Sequence, residues 1–82
     1  MGLYDNYEFK VLSDTEIVKL HDKILAIFRV NELKDMDWGK RISAIDEFGY
    51  RYTFIIDRVV SVTYDSKNNE WVVVTELKEE VY

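Results

Sequence analysis

The chain has 82 residues, a net charge of −5 and neither cysteine nor proline, which indicates one small domain over residues 1–82 without disulfide staples or thiolate zinc sites. The excess of acids disfavours direct nucleic-acid binding, which needs clustered Lys and Arg, and it also disfavours anionic membranes. Because no stretch is apolar enough for a signal peptide or a membrane span, we expect a cytoplasmic protein.

The N-terminal part predicts a short strand followed by a helix. Residues 7–12 alternate between apolar and charged side chains, as a strand or an extended arm does. Ser13 and Glu16 then match a capping box, in which Ser13 caps the helix and the Glu16 carboxylate reaches back to its amide. Apolar residues at helical spacing follow, so we expect an amphipathic helix from residue 14 to at least residue 23.

Residues 24–30 (ILAIFRV) allow two interpretations. They are short and rich in β-branched and aromatic side chains, which suits a buried strand. In that case Asn31 caps a short helical turn over residues 32–35. Alternatively the helix continues toward Trp38, and Gly39 ends it. The sequence leaves both open.

The second half of the chain predicts two hairpins. Residues 41–46 and 50–57 read as strands joined by a turn in which Gly49 supplies a positive φ. Residues 59–64 and 70–77 read as a second pair, and the Asp- and Asn-rich segment between them is typical of a hairpin turn. Residues 1–6 and 78–82 are expected to be frayed ends.

These elements predict an α+β fold, with the N-terminal capped helix packed on a sheet of four or five antiparallel strands. A strongly curved sheet that closes toward a small SH3-like or Sm-like barrel is equally compatible. The order of one helix followed by about five strands resembles the Sm-like plan, although none of that family's RNA-contact motifs can be matched in this sequence.

The residues that carry chemistry indicate binding rather than catalysis. His21 is the single histidine and has no cysteine to activate, so it cannot complete a zinc site or a nucleophilic pair. Asp35 and Asp37 form one pair of acids in a loop, but Trp38 stands where a calcium loop would continue with oxygen ligands. We therefore expect no enzyme activity, no metal and no cofactor.

Two loops are the predicted contact positions for a protein partner. Their residues are acidic or aromatic: Asp35, Asp37, Trp38, Asp46 and Glu47. Tryptophan is enriched among interface hot spots, and acids suit a basic partner surface such as the nucleic-acid groove of a larger host protein. In size and charge the chain resembles the small anti-CRISPR-like inhibitors that phages and mobile elements encode against host nucleases and defence systems. The sequence thus predicts a non-enzymatic inhibitor or modulator.

An alternative is a small β-module that binds nucleotides or single-stranded nucleic acid. Tyr50 and Tyr52 share one face of a predicted strand and could stack bases, with Arg51 and Arg58 near the phosphates. The interpretation we prefer for these rings is that they are core side chains beneath the helix. A third interpretation is a structural subunit of a larger assembly. The valine-rich segment 70–77, if it lies at the edge of the sheet, would then allow homodimerisation by strand pairing.

Overall fold

The computed structural model describes residues 9–12 and 14–80. Over these ranges the chain forms one six-stranded antiparallel sheet, and it contains no α-helix, hence none that is long and apolar enough to cross a membrane. The strands are β1 (Phe9–Val11), β2 (Glu16–Leu20), β3 (Lys23–Val30), β4 (Arg41–Asp46), β5 (Arg51–Asp65) and β6 (Glu70–Glu79). Their order across the sheet is β1-β4-β5-β6-β3-β2. The predicted α+β class is therefore wrong, and the fold is nearly all-β.

The predicted capped helix over residues 14–23 is wrong because this segment enters a β-hairpin. β2 pairs with β3, and His21 and Asp22 form the two-residue turn between them. His21 adopts a φ of 52°, a left-handed conformation in which histidine is found more often than most residues. The β-branched residues of the segment favour a strand, and β3 supplies the hydrogen-bonding partner that the local helical spacing does not. Ser13, the predicted N-cap, lies outside the described residues.

Residues 24–30 follow the strand interpretation, which is confirmed. β3 lies between β2 and β6 and alternates between buried and less buried side chains. A single 3-10 turn (Leu33–Asp35) follows it, as expected for a strand that ends near Val30. The cap of this turn is Glu32 rather than Asn31, and its side chain makes no capping hydrogen bond.

The two predicted hairpin turns are confirmed. Gly49 adopts a φ of 87° in the β4–β5 turn, where a side chain would be strained. In the β5–β6 turn, the Asp65 carboxylate accepts the Lys67 N–H at 3.0 Å and the Asn68 side-chain amide at 2.8 Å. Asn69 completes the reversal with a φ of 54°. The Asp- and Asn-rich composition of this turn thus has a direct structural cause.

Residues 50–57 and 59–64, predicted as two strands, belong to one strand of 15 residues, β5. Two bulges, at Asp57 and Val60, shift its register against β6. Bulges bend a strand and increase its twist. Residues 51–55 of β5 pair with β4 and residues 54–65 pair with β6, so beyond Ile55 the strand pairs with β6 alone among the described strands.

β6 is an inner strand, so the prediction that residues 70–77 form a free edge is wrong. It lies between β5 and β3 and pairs with both along most of its length. The strand continues through Glu79, and the Glu80 N–H donates to the Thr53 carbonyl at 2.8 Å. Residues 78–80, expected to be frayed, are therefore part of the sheet. Residues 1–6 and 81–82 lie outside the described residues.

The sheet is strongly curved and forms a nearly closed barrel, as the curved alternative predicted. Lys19 Nζ on β2 lies 5.6 Å from the centroid of the Phe9 ring on β1, so the two outermost strands approach each other. The inner face supplies a single core, whose buried side chains are Ile24, Ala26, Ile42, Ala44, Phe54 and Leu77. Because the sheet covers its own apolar face, it does not need the helix that was expected to cover it.

Candidate functional site

The β4–β5 turn is built around the carboxylate of Asp46. The backbone N–H groups of Phe48 and Tyr50 both donate to Oδ1 at 2.9 Å, and the Tyr52 hydroxyl donates to Oδ2 at 2.9 Å. The Asp46 N–H donates to the Tyr50 carbonyl at 3.0 Å, and the Gly49 N–H donates to the Asp46 carbonyl at 3.1 Å. Asp46 is only 6% exposed. These bonds replace its contacts with water and hold the turn in one conformation.

The electrostatics of Asp46 follow from this arrangement. Burial by itself raises the pKa of the carboxyl group, because it disfavours the charged form. The hydrogen bonds donated by Tyr50, Tyr52 and Phe48 favour the carboxylate and outweigh burial, so the pKa lies below its ordinary value. Asp46 is therefore an ionised structural acceptor, and its oxygens face the turn rather than a partner.

The turn presents two aromatic side chains to solvent. Phe48 is 71% exposed and Tyr50 is 68% exposed, the highest values among the exposed large hydrophobic residues of the described chain. Glu47, beside them, is also exposed. We call residues 47–50 the aromatic turn. Hydrogen bonds to the Asp46 carboxylate hold the backbone of this turn in one conformation, so the two rings extend into solvent from a fixed backbone.

The second predicted contact loop lies at the other end of β4. Asp35 is exposed in the 3-10 turn, and Trp38 is 49% exposed. The Asp37 carboxylate accepts the N–H of Gly39 at 3.1 Å, which leaves most of its surface in water. β4 has six residues, so at about 3.3 Å per residue roughly 20 Å separates this loop from the aromatic turn. The structure therefore does not bring the five predicted partner-binding residues into one patch.

Most of the aromatic row that could have stacked bases is packed into the core. Tyr52 packs against Phe54 with ring centroids 6.2 Å apart, and Phe54 is buried. Tyr50 alone is well exposed on this row. Of the predicted phosphate contacts, Arg58 forms an ion pair with Glu76 across the strands, whereas Arg51 is exposed on the face opposite Tyr52.

Other cross-strand ion pairs lie on the same outer face as Arg58. They join Arg29 with Glu70 at 3.3 Å, Lys78 with Asp57 at 3.6 Å and Arg41 with Glu80 at 2.8 Å. Each of these four basic side chains is thus balanced by a nearby acid. This interleaving lacks the uncompensated positive charge that attracts phosphates.

The second half of β5 forms another exposed surface. Val59, Val60, Val62 and Tyr64 are all exposed, and the segment 59–64 contains no charged residue. Tyr64 contacts Trp71 on β6 edge to face, with centroids 5.1 Å apart. On its other side this part of β5 has no strand partner among residues 9–12 and 14–80. Its backbone therefore forms an edge of the sheet.

The remaining chemistry-bearing residues are dispersed. His21 is exposed in the β2–β3 turn. Among the described residues, no three His, Cys, Asp or Glu side chains are grouped so that they could hold a metal ion. An open groove of about 490 Å³ lies between β1 and β2, lined by Phe9, Val11, Ile17, Val18 and Lys19. Its lining is mainly aliphatic and aromatic, with one ammonium group.

Comparison of the chain with protein-family models, with curated proteins and with solved structures gives no match. The candidate site consequently depends on the geometry alone.

The sequence prediction named Asp46, which is buried, and did not name Phe48, the most exposed large hydrophobic residue of the described chain. The signal for Phe48 was its position: a phenylalanine between Glu47 and Gly49, inside a hairpin turn, belongs to neither alternating face of the two strands. The signal for Asp46 was its place just before that turn, where Asp commonly accepts backbone N–H groups two residues ahead. The turn was among the predicted contact positions, and its exposed side chains are mainly aromatic; whether it contacts a partner stays a prediction.

Proposed function

We propose that this protein is a small, acidic, non-enzymatic cytoplasmic protein that binds a larger protein and inhibits or modulates it. The contact we propose is the aromatic turn. The observation that carries this proposal is the exposure of Phe48 and Tyr50 on a turn whose backbone is fixed by the buried Asp46 carboxylate.

Rigid exposed aromatic rings are well suited to protein recognition. Aromatic residues are enriched at the centres of interfaces, and each buries a large area with few rotatable bonds. A contact held in its bound conformation also loses less entropy on association. Within residues 9–12 and 14–80, no packing contact accounts for two rings that remain mostly in water, whereas binding to an apolar pocket would bury them.

The charge of the chain supports a basic partner surface. The net charge of −5 and the exposed Glu47 next to the two rings would favour the approach of a positively charged protein. The nucleic-acid groove of a larger host enzyme has that character. Docking there would block the groove, in the manner of the inhibitors that phages and mobile elements direct against host nucleases and defence systems.

The test is affinity capture from a host lysate, followed by binding measurements with the captured protein. The baits are the unmodified protein, the double variant Phe48→Ala/Tyr50→Ala and the control Leu20→Ala. Leu20 is 51% exposed on β2, so this control removes an exposed apolar side chain from another part of the surface. Each lost hot-spot ring should weaken binding by about 2 kcal/mol, or roughly thirtyfold.

The proposal requires that the unmodified protein and the Leu20→Ala control bind the same partner with similar affinity, while the double variant loses it. Equal binding by all three proteins would place the contact elsewhere. If the captured partner has an enzyme activity, addition of the unmodified protein should change it and addition of the double variant should not.

Base stacking is not the function we favour. The Tyr52 hydroxyl donates to Asp46, and the Tyr52 ring packs on Phe54. Of the rings that could stack bases on this strand, only Tyr50 is well exposed. A flat fluorescence titration with single-stranded oligonucleotides at low salt is the expected result.

A further inference from the structure

The free part of β5 has an unusual composition for the edge of a sheet. Its segment 59–64 (VVSVTY), which we call the uncharged edge, has high β-propensity and no charged residue, in a chain of which 33% is charged. The ladder between β4 and β5 stops at Ile55, so among the strands that the structure describes, the uncharged edge pairs with β6 alone. Its side chains are exposed on both faces.

Sheet edges in monomeric proteins normally carry charges or other features that prevent pairing with another chain. The other edge strands follow that rule, with Lys10 on β1 and both Glu16 and Lys19 on β2. On β5 the charges occur only outside the uncharged edge, at Arg51, Asp57, Arg58 and Asp65. The bulge at Val60 limits regular pairing to the five residues 61–65. Within this short regular segment only the last residue, Asp65, is charged.

We propose that two copies of the protein associate by antiparallel pairing of residues 61–65 around a two-fold axis that passes between the two Thr63 residues. A two-fold axis perpendicular to the sheet keeps each side chain on the same face of the sheet. Opposed residues of antiparallel strands share a face, whereas successive residues alternate between faces. The axis must therefore pass between two copies of the same residue. Centring the five-residue segment selects Thr63. Val62 then lies opposite Tyr64 of the second copy, and the two Thr63 side chains face each other. Both kinds of pair stabilise antiparallel sheets.

The flanking charges fit the same arrangement. Because Val60 is bulged out, Arg58 and Ser61 are successive residues on the outer face, opposite Glu76 and Val74. Ser61 lies opposite Asp65 of the second copy, so Arg58 becomes the diagonal neighbour of that Asp65, at roughly 7–8 Å between backbones. A guanidinium has five donors, and one bond to Glu76 leaves others for this contact.

Two further features favour a second copy as the occupant. Each copy carries a net charge of −5, so two copies repel each other least where the contacting segments carry little charge, and Asp65 is the one charged residue of segment 61–65. Parallel pairing would place Arg58 beside Arg58 and Asp65 beside Asp65, which like-charge repulsion disfavours. The segment is thus complementary to itself in the antiparallel direction. Since the contact closes on itself around the axis, association stops at the dimer.

The aromatic turn remains accessible in this dimer. It precedes β5, whereas the uncharged edge lies near the other end of that long strand. A dimer would therefore present two aromatic turns, and a partner with two sites would bind it with higher avidity. A contact of five residues on each side belongs to the small, weak class of interfaces, so we expect a concentration-dependent equilibrium.

The first experiment is sedimentation equilibrium of the unmodified protein, Thr63→Lys and Thr63→Val. The unmodified protein should approach twice its mass of 9.8 kDa as its concentration rises toward about 1 mM. Thr63→Lys places two ammonium groups opposite each other and should weaken the dimer by about tenfold or more. Thr63→Val keeps the branched shape and should still dimerise. The proposal is overturned if the unmodified protein stays monomeric, or if Thr63→Lys dimerises as strongly as the unmodified protein.

The second experiment uses the absence of cysteine from the chain. Directly opposed residues of antiparallel strands have Cα atoms about 4.5–5.5 Å apart, which a disulfide can bridge. Thr63→Cys should therefore oxidise rapidly to a covalent dimer, and the exposed control Leu20→Cys should not. Equal rates would show random collision and overturn the proposal, and faster cross-linking of Val62→Cys than of Thr63→Cys would overturn the register. Circular dichroism confirms that each variant is folded.

This dimer does not depend on the function proposed above. Phe48→Ala/Tyr50→Ala should leave the sedimentation behaviour unchanged, and Thr63→Lys should leave the affinity of one aromatic turn for its partner unchanged.

Discussion

Gly49→Ala tests whether the aromatic turn depends on a left-handed backbone. Gly49 has a φ of +87°, and a Cβ added there would have no heavy atom within 4 Å. The substitution therefore causes no clash, and its whole cost is the backbone energy of holding an alanine at positive φ, about 1–2 kcal/mol. For a domain of this size each kcal/mol lowers the melting temperature by about 4–8 °C. We therefore expect Gly49→Ala to lower the free energy of unfolding by about 1–2 kcal/mol, and the melting temperature to fall accordingly.

The matched control is Gly39→Ala. Gly39 does not have a positive φ, and an added Cβ would lie 3.8 Å from Asp37 Oδ1, an ordinary van der Waals contact. This variant should remain within about 0.5 kcal/mol of the unmodified protein. Urea denaturation followed by tryptophan fluorescence measures both free energies of unfolding, and equal m-values would show that the unfolded states are comparable. Equal stability of the two variants would refute the reasoning about Gly49.

Three more predictions concern the core and the turn. Phe54→Ala should cost about 3–5 kcal/mol in calorimetry, whereas Tyr50→Ala should change the free energy of unfolding by less than about 0.5 kcal/mol; similar losses would contradict the burial of Phe54. Thr75→Val should cost about 1 kcal/mol in urea denaturation, because it removes the hydroxyl that donates to the Ala26 carbonyl at 3.2 Å. The folded pKa of Asp46 lies below the ordinary value of 3.8, so its carboxylate contributes stability above that pH which is lost as the pH falls through the folded pKa. Asp46→Asn should flatten this acid-induced loss, and an unchanged pH profile would contradict the role of the carboxylate.

The strands of the second half were predictable because their turns contain residues with specific backbone preferences. Gly49, Asp65 and Asn69 mark the two reversals, and the strands fill the chain between them. The first half was not predictable in the same way. Residues 14–23 carry apolar side chains at spacings that fit a helix face as well as a short strand. The competing stabilisation comes from pairing with β3, whose other neighbour in the sheet, β6, is far away in the sequence.

The position of each strand in the sheet could not be predicted from local patterns. The valine-rich sequence of residues 70–77 suits an edge strand as well as an inner strand. Only the pairing with both β3 and β5 shows that these residues form an inner strand. The continuity of β5 through Asp57 was missed for a related reason. A bulge inserts a residue and interrupts the alternation of faces, so one bent strand reads as two.

The turn after β4 could be named from the sequence, but the surroundings of its side chains could not. An Asp that precedes a turn is equally compatible with a solvent-exposed charge and with an acceptor for the turn's own N–H groups. The Tyr52 hydroxyl decides between them, and its approach to Asp46 depends on the pairing of β4 with β5. Trp38 and Asp37 were correctly expected in a connecting loop, and whether they bind anything stays a prediction.

The strand order has a consequence for how the chain folds. β4, β5 and β6 follow one another through short turns, and β2 and β3 form a second local hairpin. The ladder between β3 and β6 joins these two units. Its formation closes a long loop of chain, which costs conformational entropy. We therefore expect the three-stranded unit to form early and the docking of β3 on β6 to limit the folding rate. Until that step, the exposed valines of β6 leave the nascent chain most vulnerable to aggregation.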